Sequence, residues 1–205
     1  MRIRKICYVV TIPTTIRSFF MSQLQYLAKH GFDVSVICAR DEKLLEDMGN
    51  GIHYIPTDIP RGISFGGSIK AVKELINIFK REKFDLIQYS TPNAALYASI
   101  AAKIVGCKIR NYHLMGFRYL GAHGIGKSIL KTIEKVSCWN STSIECVSRS
   151  NLELGIKEKV FPAEKATVVW NGSTGGVNLE RFDYFKRDVW RNKLREELGY
   201  EDADF

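Results

Sequence analysis

The chain has 205 residues, 45% hydrophobic and 25% charged, the balance of a globular protein with room for one large α/β domain or one domain and the start of another. Its net charge of +8 is uneven: residues 1–175 carry 24 basic and 14 acidic side chains, residues 176–205 carry 6 and 8. No apolar run approaches the roughly 18 residues that a bilayer span requires, and no repeat or low-complexity segment is present.

Ile6–Val10 is continuously apolar, as a strand buried on both faces must be. A polar turn, TIPTT with Pro13 inside it, follows and leads into a helix over about Ser18–Lys29 that Gly31 stops. Phe32–Cys38 is a second strand. A polar stretch, Arg40–Asn50, leads to a short strand at Ile52–Ile55, and Pro56, Pro60 and the Gly66-Gly67 pair mark a loop. Ser68 reads as the N-cap of a helix to Arg81, with Ile69, Val72, Ile76 and Phe79 on one face. Phe84–Tyr89 is the fourth strand and Asn93–Val105 an Ala-rich helix ending at Gly106. Lys108–Leu114 is the fifth strand, followed by a Gly-rich loop, Gly116–Gly126. A helix is predicted over Lys127–Trp139, a strand over Thr142–Val147, a short helix over Ser150–Leu154 and a last strand over Ala166–Trp170. Alternating strand and helix predicts a Rossmann-like parallel sheet with helices on both faces.

The remainder divides differently. Residues 1–175 make the Rossmann-like domain. Residues 176–205 read as a linker and the first helix of a truncated second domain: NGSTGGVNLERF is the connection, Asp188 caps a helix over Val189–Leu198, and Gly199 ends it. The five cysteines form no CxxC pair; they read as buried, reduced thiols, which suits a cytoplasmic protein.

In open parallel sheets, ligands sit beyond the carboxyl ends of the strands, where strand order reverses. A crevice is therefore expected at the end of the first strand, facing the loop around Arg118. Thr11, Thr14, Thr15 and Arg17 follow that strand; their hydroxyls and backbone amides suit an anion or a sugar, although Thr15 or Ser18 would equally serve as a helix cap. Ser90 and Thr91 end the fourth strand and either line the same crevice or cap the next helix. Arg118, in Met-Gly-Phe-Arg-Tyr just past a central strand, presents a guanidinium able to grip a diphosphate bidentately; the alternative is an ordinary surface arginine. His113, at the end of the same strand, is a candidate general base or a core histidine.

Gly121–Ser128 matches the phosphate-binding pattern G-x-x-x-x-G-K-[ST] in full. MGFRYL separates it from the strand before, and the later strand, IECVS, lacks the Asp that would help to hold Mg2+. No G-x-G-x-x-G follows the first strand, so a dinucleotide oxidoreductase lacks its main support. The basic body suits phosphate-bearing substrates, an anionic membrane or nucleic acid, or is simply solvated. Lys127, Lys131 and Lys135 make one basic stripe, with Ile129, Leu130, Ile133 and Val136 as an apolar side. With Phe117, Tyr119 and Leu120 before it, that helix either touches an anionic membrane or packs on the sheet with its charges in water.

Four stretches carry a family resemblance: KICYVVTIPTTIRSFFMSQLQYLAKHGFDVSVIC, KIRNYHLMGFRYLG, SIECVSRSNLELGI and ATVVWNGSTGGVNLERF. In the last, a strand, Asn171-Gly172, and Val177-Asn178-Leu179-Glu180-Arg181-Phe182 follow one another. Together they resemble the N-terminal half of a GT-B glycosyltransferase of family 4, the capsular and exopolysaccharide type. The resemblance implies seven strands in the order 3-2-1-4-5-6-7. It also implies a retaining transfer of sugar from a nucleotide-sugar donor to a polysaccharide or polyprenyl-linked acceptor, with the donor held mostly by a second domain. Arg118 and His113 would then be catalytic. Thr11, Thr14, Thr15, Arg17, Ser90, Thr91, Gly116, Ser148, Asn171 and Gly172 would bind substrate. No metal, no further cofactor and no nucleic acid is implied. The expected location is the cytoplasm, with peripheral contact at the inner face of the plasma membrane. The alternatives are a nucleotide-binding protein that uses Gly121–Ser128 and a non-catalytic ligand-binding module.

Overall fold

A strand with no polar face belongs in the middle of a sheet covered on both sides. In the computed structural model, which describes residues 4–60, 65–177, 179 and 182–200, the first strand lies there. β1 (Lys5–Val9) pairs in parallel with β2 (Asp33–Cys38) on one side and β4 (Leu86–Tyr89) on the other. With β3 (Ile52–Pro56), β5 (Ile109–Leu114), β6 (Ser143–Cys146) and β7 (Ala166–Thr167), the sheet runs β3-β2-β1-β4-β5-β6-β7, all parallel. This is a Rossmann-like parallel sheet, in the strand order expected.

Right-handed crossovers dictate which face each helix covers. After β1 the chain passes through α1 (Pro13–Thr15), a π-helical turn over Ile16–Phe20 and α2 (Met21–Lys29); α3 (Glu42–Met48) follows β2. Their Ile16, Phe20, Leu24, Leu44 and Met48 pack on Tyr8, Val34 and Val36 from one face. α4 (Phe65–Glu82), α5 (Pro92–Ile104) and α6 (Gly124–Asn140) cover the other face, where Leu75, Ala98 and Cys138 meet Val9, Tyr89 and Tyr112. The alanines of α5 are buried throughout, so its backbone lies close to the sheet. α7 (Arg149–Lys157) follows β6 and is capped by the Ser148 hydroxyl, which accepts from Asn151 N at 3.2 Å. All five cysteines are buried and free.

Several boundaries differ from expectation, each for a local reason. The polar stretch Arg40–Asn50 contains α3: Asp41 accepts from Leu44 N at 3.0 Å, and Leu44 and Met48, one turn apart, both point into the core. α4 starts before Ser68, whose hydroxyl lies 2.9 Å from the Tyr97 hydroxyl instead of capping. α6 begins at Gly124, ahead of Lys127. The last strand stops at Thr167 because Gly172 N donates to Val169 O at 3.0 Å, closing a turn with Trp170 at φ 52°. Gly172 has φ +87° and a Cβ there would stand 2.4 Å from Val147 O, so only glycine fits. Ser173 N then donates to Val147 O at 2.6 Å.

The chain separates into two compact units, Met1–Gly175 and Gly176–Phe205. The second holds α8 (Arg187–Leu198), ended by Gly199, and a 3-10 turn over Tyr184–Lys186; Asp183, not Asp188, is the capping side chain, accepting from Phe185 N at 3.0 Å. Of the closing motif, Asn178, Glu180 and Arg181 lie outside the described residues.

Under α6 one carboxyl is buried. Glu134 accepts from the Tyr112 hydroxyl, and burial pushes its pKa from 4.5 up to about 7 against that bond's pull. The folded chain keeps the Glu134 proton where the unfolded chain has lost it. Stability therefore falls as pH rises from about 4.5 to about 7. Glu134→Gln keeps an acceptor for Tyr112 and is expected to remove that fall, read as urea-unfolding free energy across the same interval; an unchanged slope would assign it elsewhere.

Candidate functional site

Beyond β1 and β4 the chain turns to opposite sides of the sheet, and the strand ends part. The gap is bridged by two threonines. Thr11 N donates to Thr91 Oγ1 at 3.2 Å, and the two hydroxyls lie 2.7 Å apart; Ser90 N donates to Val9 O at 3.1 Å just beneath. Thr91 has φ 67° and ψ 138°, a backbone state that costs a non-glycine residue on the order of 1–3 kcal/mol. Its hydroxyl is turned to Thr11, so a residue of capping type makes no side-chain cap for α5. Pro92 at the first helical position presets the backbone of that helix end.

Around this bridge lies a cleft of about 220 Å3, lined by Thr11, Ile12, Thr15, Thr91, Pro92, Asn93 and Arg118. Arg118 opens a 3-10 turn, Arg118–Gly121, after β5, and its Nη1 donates to Asn93 Oδ1 at 3.3 Å. Asn93 in turn donates from Nδ2 to Pro60 O at 2.6 Å, which fixes its amide orientation. The cleft therefore combines a cation, two paired hydroxyls and the amino-terminal end of a 13-residue helix, whose dipole is positive there. Such a set is chemically suited to an anionic oxygen cluster or a sugar hydroxyl.

The structure thus gathers Thr11, Thr15, Thr91 and Arg118 in one place, with Ser90 buried below them. Asn93 was not among the expected site residues; in the sequence it reads only as the start of a helix. Thr14 is exposed and does not line the cleft. Arg17 is held by carboxylates: Nη1 and Nη2 donate to the two oxygens of Asp41, each at 2.9 Å, and Nε to Asp47 at 2.5 Å. Hydrogen bonding from Arg17 holds the Asp41 carboxyl down at about 2. That pairing ties the π-helical turn to α3.

His113 stands on the sheet face that meets the π-helical turn and is 1% exposed. Its Nδ1 lies 3.4 Å from Glu145 Oε1, its ring meets Phe20 edge-on at 5.3 Å, and Nε2 is buried without a hydrogen-bond partner. It does not line the cleft. Hydrogen bonding to His113 holds the Glu145 carboxyl below the usual range, against the effect of its partial burial. Asn111 extends the polar row, donating to Gln88 Oε1 at 3.0 Å and accepting from the Ser143 hydroxyl at 2.9 Å. Gly116 lies in the turn after β5, and Ser148, Asn171 and Gly172 lie further along the same edge of the sheet, beyond β6 and β7. A Cβ on Gly175 would stand 3.0 Å from Phe19 O, so the segment after β7 passes close to the π-helical turn.

Gly121–Ser128 does not form a phosphate loop. Gly121 closes the 3-10 turn and Gly124–Ser128 are already helical, with Lys127 N donating to His123 O at 3.3 Å. Among the described residues no cluster of His, Cys, Asp and Glu could hold a metal ion, and no helix is long and apolar enough to cross a membrane.

A seven-stranded parallel sheet in this order, with its cleft at the reversal of strand order, defines a Rossmann-like domain of the GT-B kind. The chain belongs to glycosyltransferase family 4, whose model matches residues 18–174. It is 30% identical over 197 residues to the capsular polysaccharide biosynthesis glycosyltransferase CapM of Staphylococcus aureus, covering 96% of this chain and 50% of that protein. It is 24% identical over 184 residues to a UDP-Gal:α-D-GlcNAc-diphosphoundecaprenol α-1,3-galactosyltransferase of Escherichia coli, covering 87% of this chain and 46% of that one. The chain thus spans about half the length of these relatives. Among solved structures, Anabaena HepE in complex with UDP and glucose superposes with a TM-score of 0.67 at 17% identity, over 97% of this chain and 50% of that one. A glycosyltransferase from Rickettsia africae gives 0.66 at 16% identity, over 98% and 51%.

Proposed function

We propose that this chain supplies the acceptor-side domain of a two-domain glycosyltransferase, with residues 176–205 leading into a second domain that holds the nucleotide. The enzyme would transfer a sugar, with retention at the anomeric carbon, from a nucleotide-sugar donor to a lipid-linked or polysaccharide acceptor. Family membership supports the transferase reading, and the names of the two relatives support the acceptor class. The single observation that carries it is the cleft where Arg118, the Thr11–Thr91 pair and the amino end of α5 converge.

The chemistry follows from that convergence. Breaking the bond to the anomeric carbon leaves negative charge on a diphosphate. The Arg118 guanidinium, exposed at the mouth of the cleft and oriented by Asn93, offsets that charge as it develops. The amino end of α5 adds to the same field. The Thr11 and Thr91 hydroxyls are placed to hold an acceptor hydroxyl or a sugar oxygen. Thr15 bounds the cleft, and Ser148 and Asn171 would face its far side. His113, buried against Phe20 and Glu145, would act by positioning β5 ahead of the Arg118 turn. The work would be done in the cytoplasm, at the inner face of the membrane that carries the acceptor.

In the full-length protein, Arg118→Ala is expected to lower kcat by about 100-fold or more with a far smaller change in donor KM; an unchanged kcat would remove Arg118 from the reaction. Residues 1–205 alone are expected to transfer no measurable sugar in a radiolabelled-donor assay. Transfer at the full-length rate would overturn the two-domain reading.

A further inference from the structure

Arg118 is exposed, yet its two neighbours in the chain, Phe117 and Tyr119, are buried. A side chain between two buried neighbours is turned away from them, so whatever anchors Phe117 and Tyr119 also aims the guanidinium. The backbone alone does little of this. The turn over Arg118–Gly121 is closed by Leu120 N donating to Phe117 O and Ala122 N donating to Tyr119 O, each at 3.2 Å. Bonds of the 3-10 kind have poorer geometry than those of an α-helix, which leaves the side chains to fix the direction of the turn.

Both anchors lead to α7 and the residues just after it. The Phe117 ring lies 5.2 Å from that of Tyr119 and stacks at 6.4 Å on Phe161. Phe161 in turn covers Gly155 so closely that a Cβ there would meet its ring at 2.1 Å. Over the Tyr119 ring, 5.6 Å from its centre, stands the Lys131 ammonium of α6, and that ammonium lies 2.6 Å from Glu158 Oε2 at the end of α7. The Tyr119 hydroxyl is buried with no hydrogen bond of regular geometry, and Glu158 is the first of the charges that act on it. The ion pair is only 29% and 25% exposed on its two sides. A pair of that kind contributes little by itself; here its cation also rests on the face of a buried ring. Neither Lys131 nor Glu158 lines the cleft.

We propose that Tyr119, Lys131 and Glu158 are positioning residues for Arg118: the Lys131–Glu158 pair, drawn from α6 and α7, clamps the Tyr119 ring and thereby holds the Arg118 turn against the cleft. The value of this clamp to sugar transfer rests on the transferase reading. The clamp itself is tested without donor or acceptor.

Trypsin cuts after Arg118 when that turn opens, so the rate of the cut reads the local opening. The test is brief trypsin digestion of the folded 205-residue chain, with the fragments identified by mass spectrometry. Glu158→Gln and Lys131→Met are each expected to speed the cut between Arg118 and Tyr119 by about 5-fold, with the cut after exposed Lys43 unchanged. Lys131→Arg, which keeps the cation, should stay near the parent rate. In the full-length protein, Glu158→Gln is expected to lower kcat by about 5-fold with donor KM nearly unchanged, and to add nothing further to Arg118→Ala. Equal cutting at Arg118 in parent and variants would overturn the proposal. So would an equal rise at every site, which marks a general loss of stability, or an effect of Glu158→Gln that adds in full to that of Arg118→Ala. An unchanged kcat in Arg118→Ala would instead defeat the transferase role of Arg118, and the cutting rates would still decide the clamp.

Discussion

Two threonine hydroxyls 2.7 Å apart span the place where this sheet changes direction. β1 sends the chain one way, to β2 and β3; β4 sends it the other, to β5, β6 and β7. Parallel strands bury their flanks but leave their carboxyl ends unpaired, and at the reversal no crossover closes over them. Thr11 and Thr91 satisfy one another there without filling the gap. Thr91 has its hydroxyl turned to Thr11, a left-handed φ and no side-chain cap for α5. Arg118 and Asn93 then approach from β5 and α5, and the cleft has a cation on one wall and hydroxyls on the other.

The two faces of the sheet divide the remaining work. On the face under α4, α5 and α6 the strands are apolar, and small residues let α5 lie close. On the other face, under α2 and beyond it, β4, β5 and β6 carry Gln88, Asn111, His113, Ser143 and Glu145, joined side to side. Buried polar rows are tolerated only when their members are paired, and this row is paired except at His113 Nε2. The domain belongs to glycosyltransferase family 4, and its cleft lies at the carboxyl ends of the strands, where Arg118, Thr11 and Thr91 come together.

The sheet was almost entirely legible in the sequence because its strands alternate regularly with helices and the central one, β1, is a short apolar run, a signal that a strand buried on both faces must carry. Elements that owe their form to distant contacts were less so. α3 sat unseen among charged residues, although Asp41 three positions before Leu44 is a cap signal. The π-helical turn depends on Arg17 reaching carboxylates 24 and 30 residues away, which no local pattern encodes. Thr11, Thr91 and Arg118 could be read from their places after strands, whereas Asn93 could not, because its role comes from Pro60 and Arg118 folding towards it. In α6 the apolar residues were legible but their direction was not: the sheet beneath takes Glu134 and Ser137, Ile133 is half-buried, and Ile125 and Ile129 are left outside.

Backbone-amide NMR of the isotopically labelled 205-residue chain, titrated with inorganic pyrophosphate at about millimolar concentration, tests the placement of the site most directly, because the cleft is proposed to meet the diphosphate and not the nucleoside. Shift changes are expected to concentrate at Thr11, Thr91, Asn93 and the Arg118 turn, with little change at Gly126–Ser128. Changes centred on Gly121–Ser128, with Thr11 and Thr91 unmoved, would contradict the account.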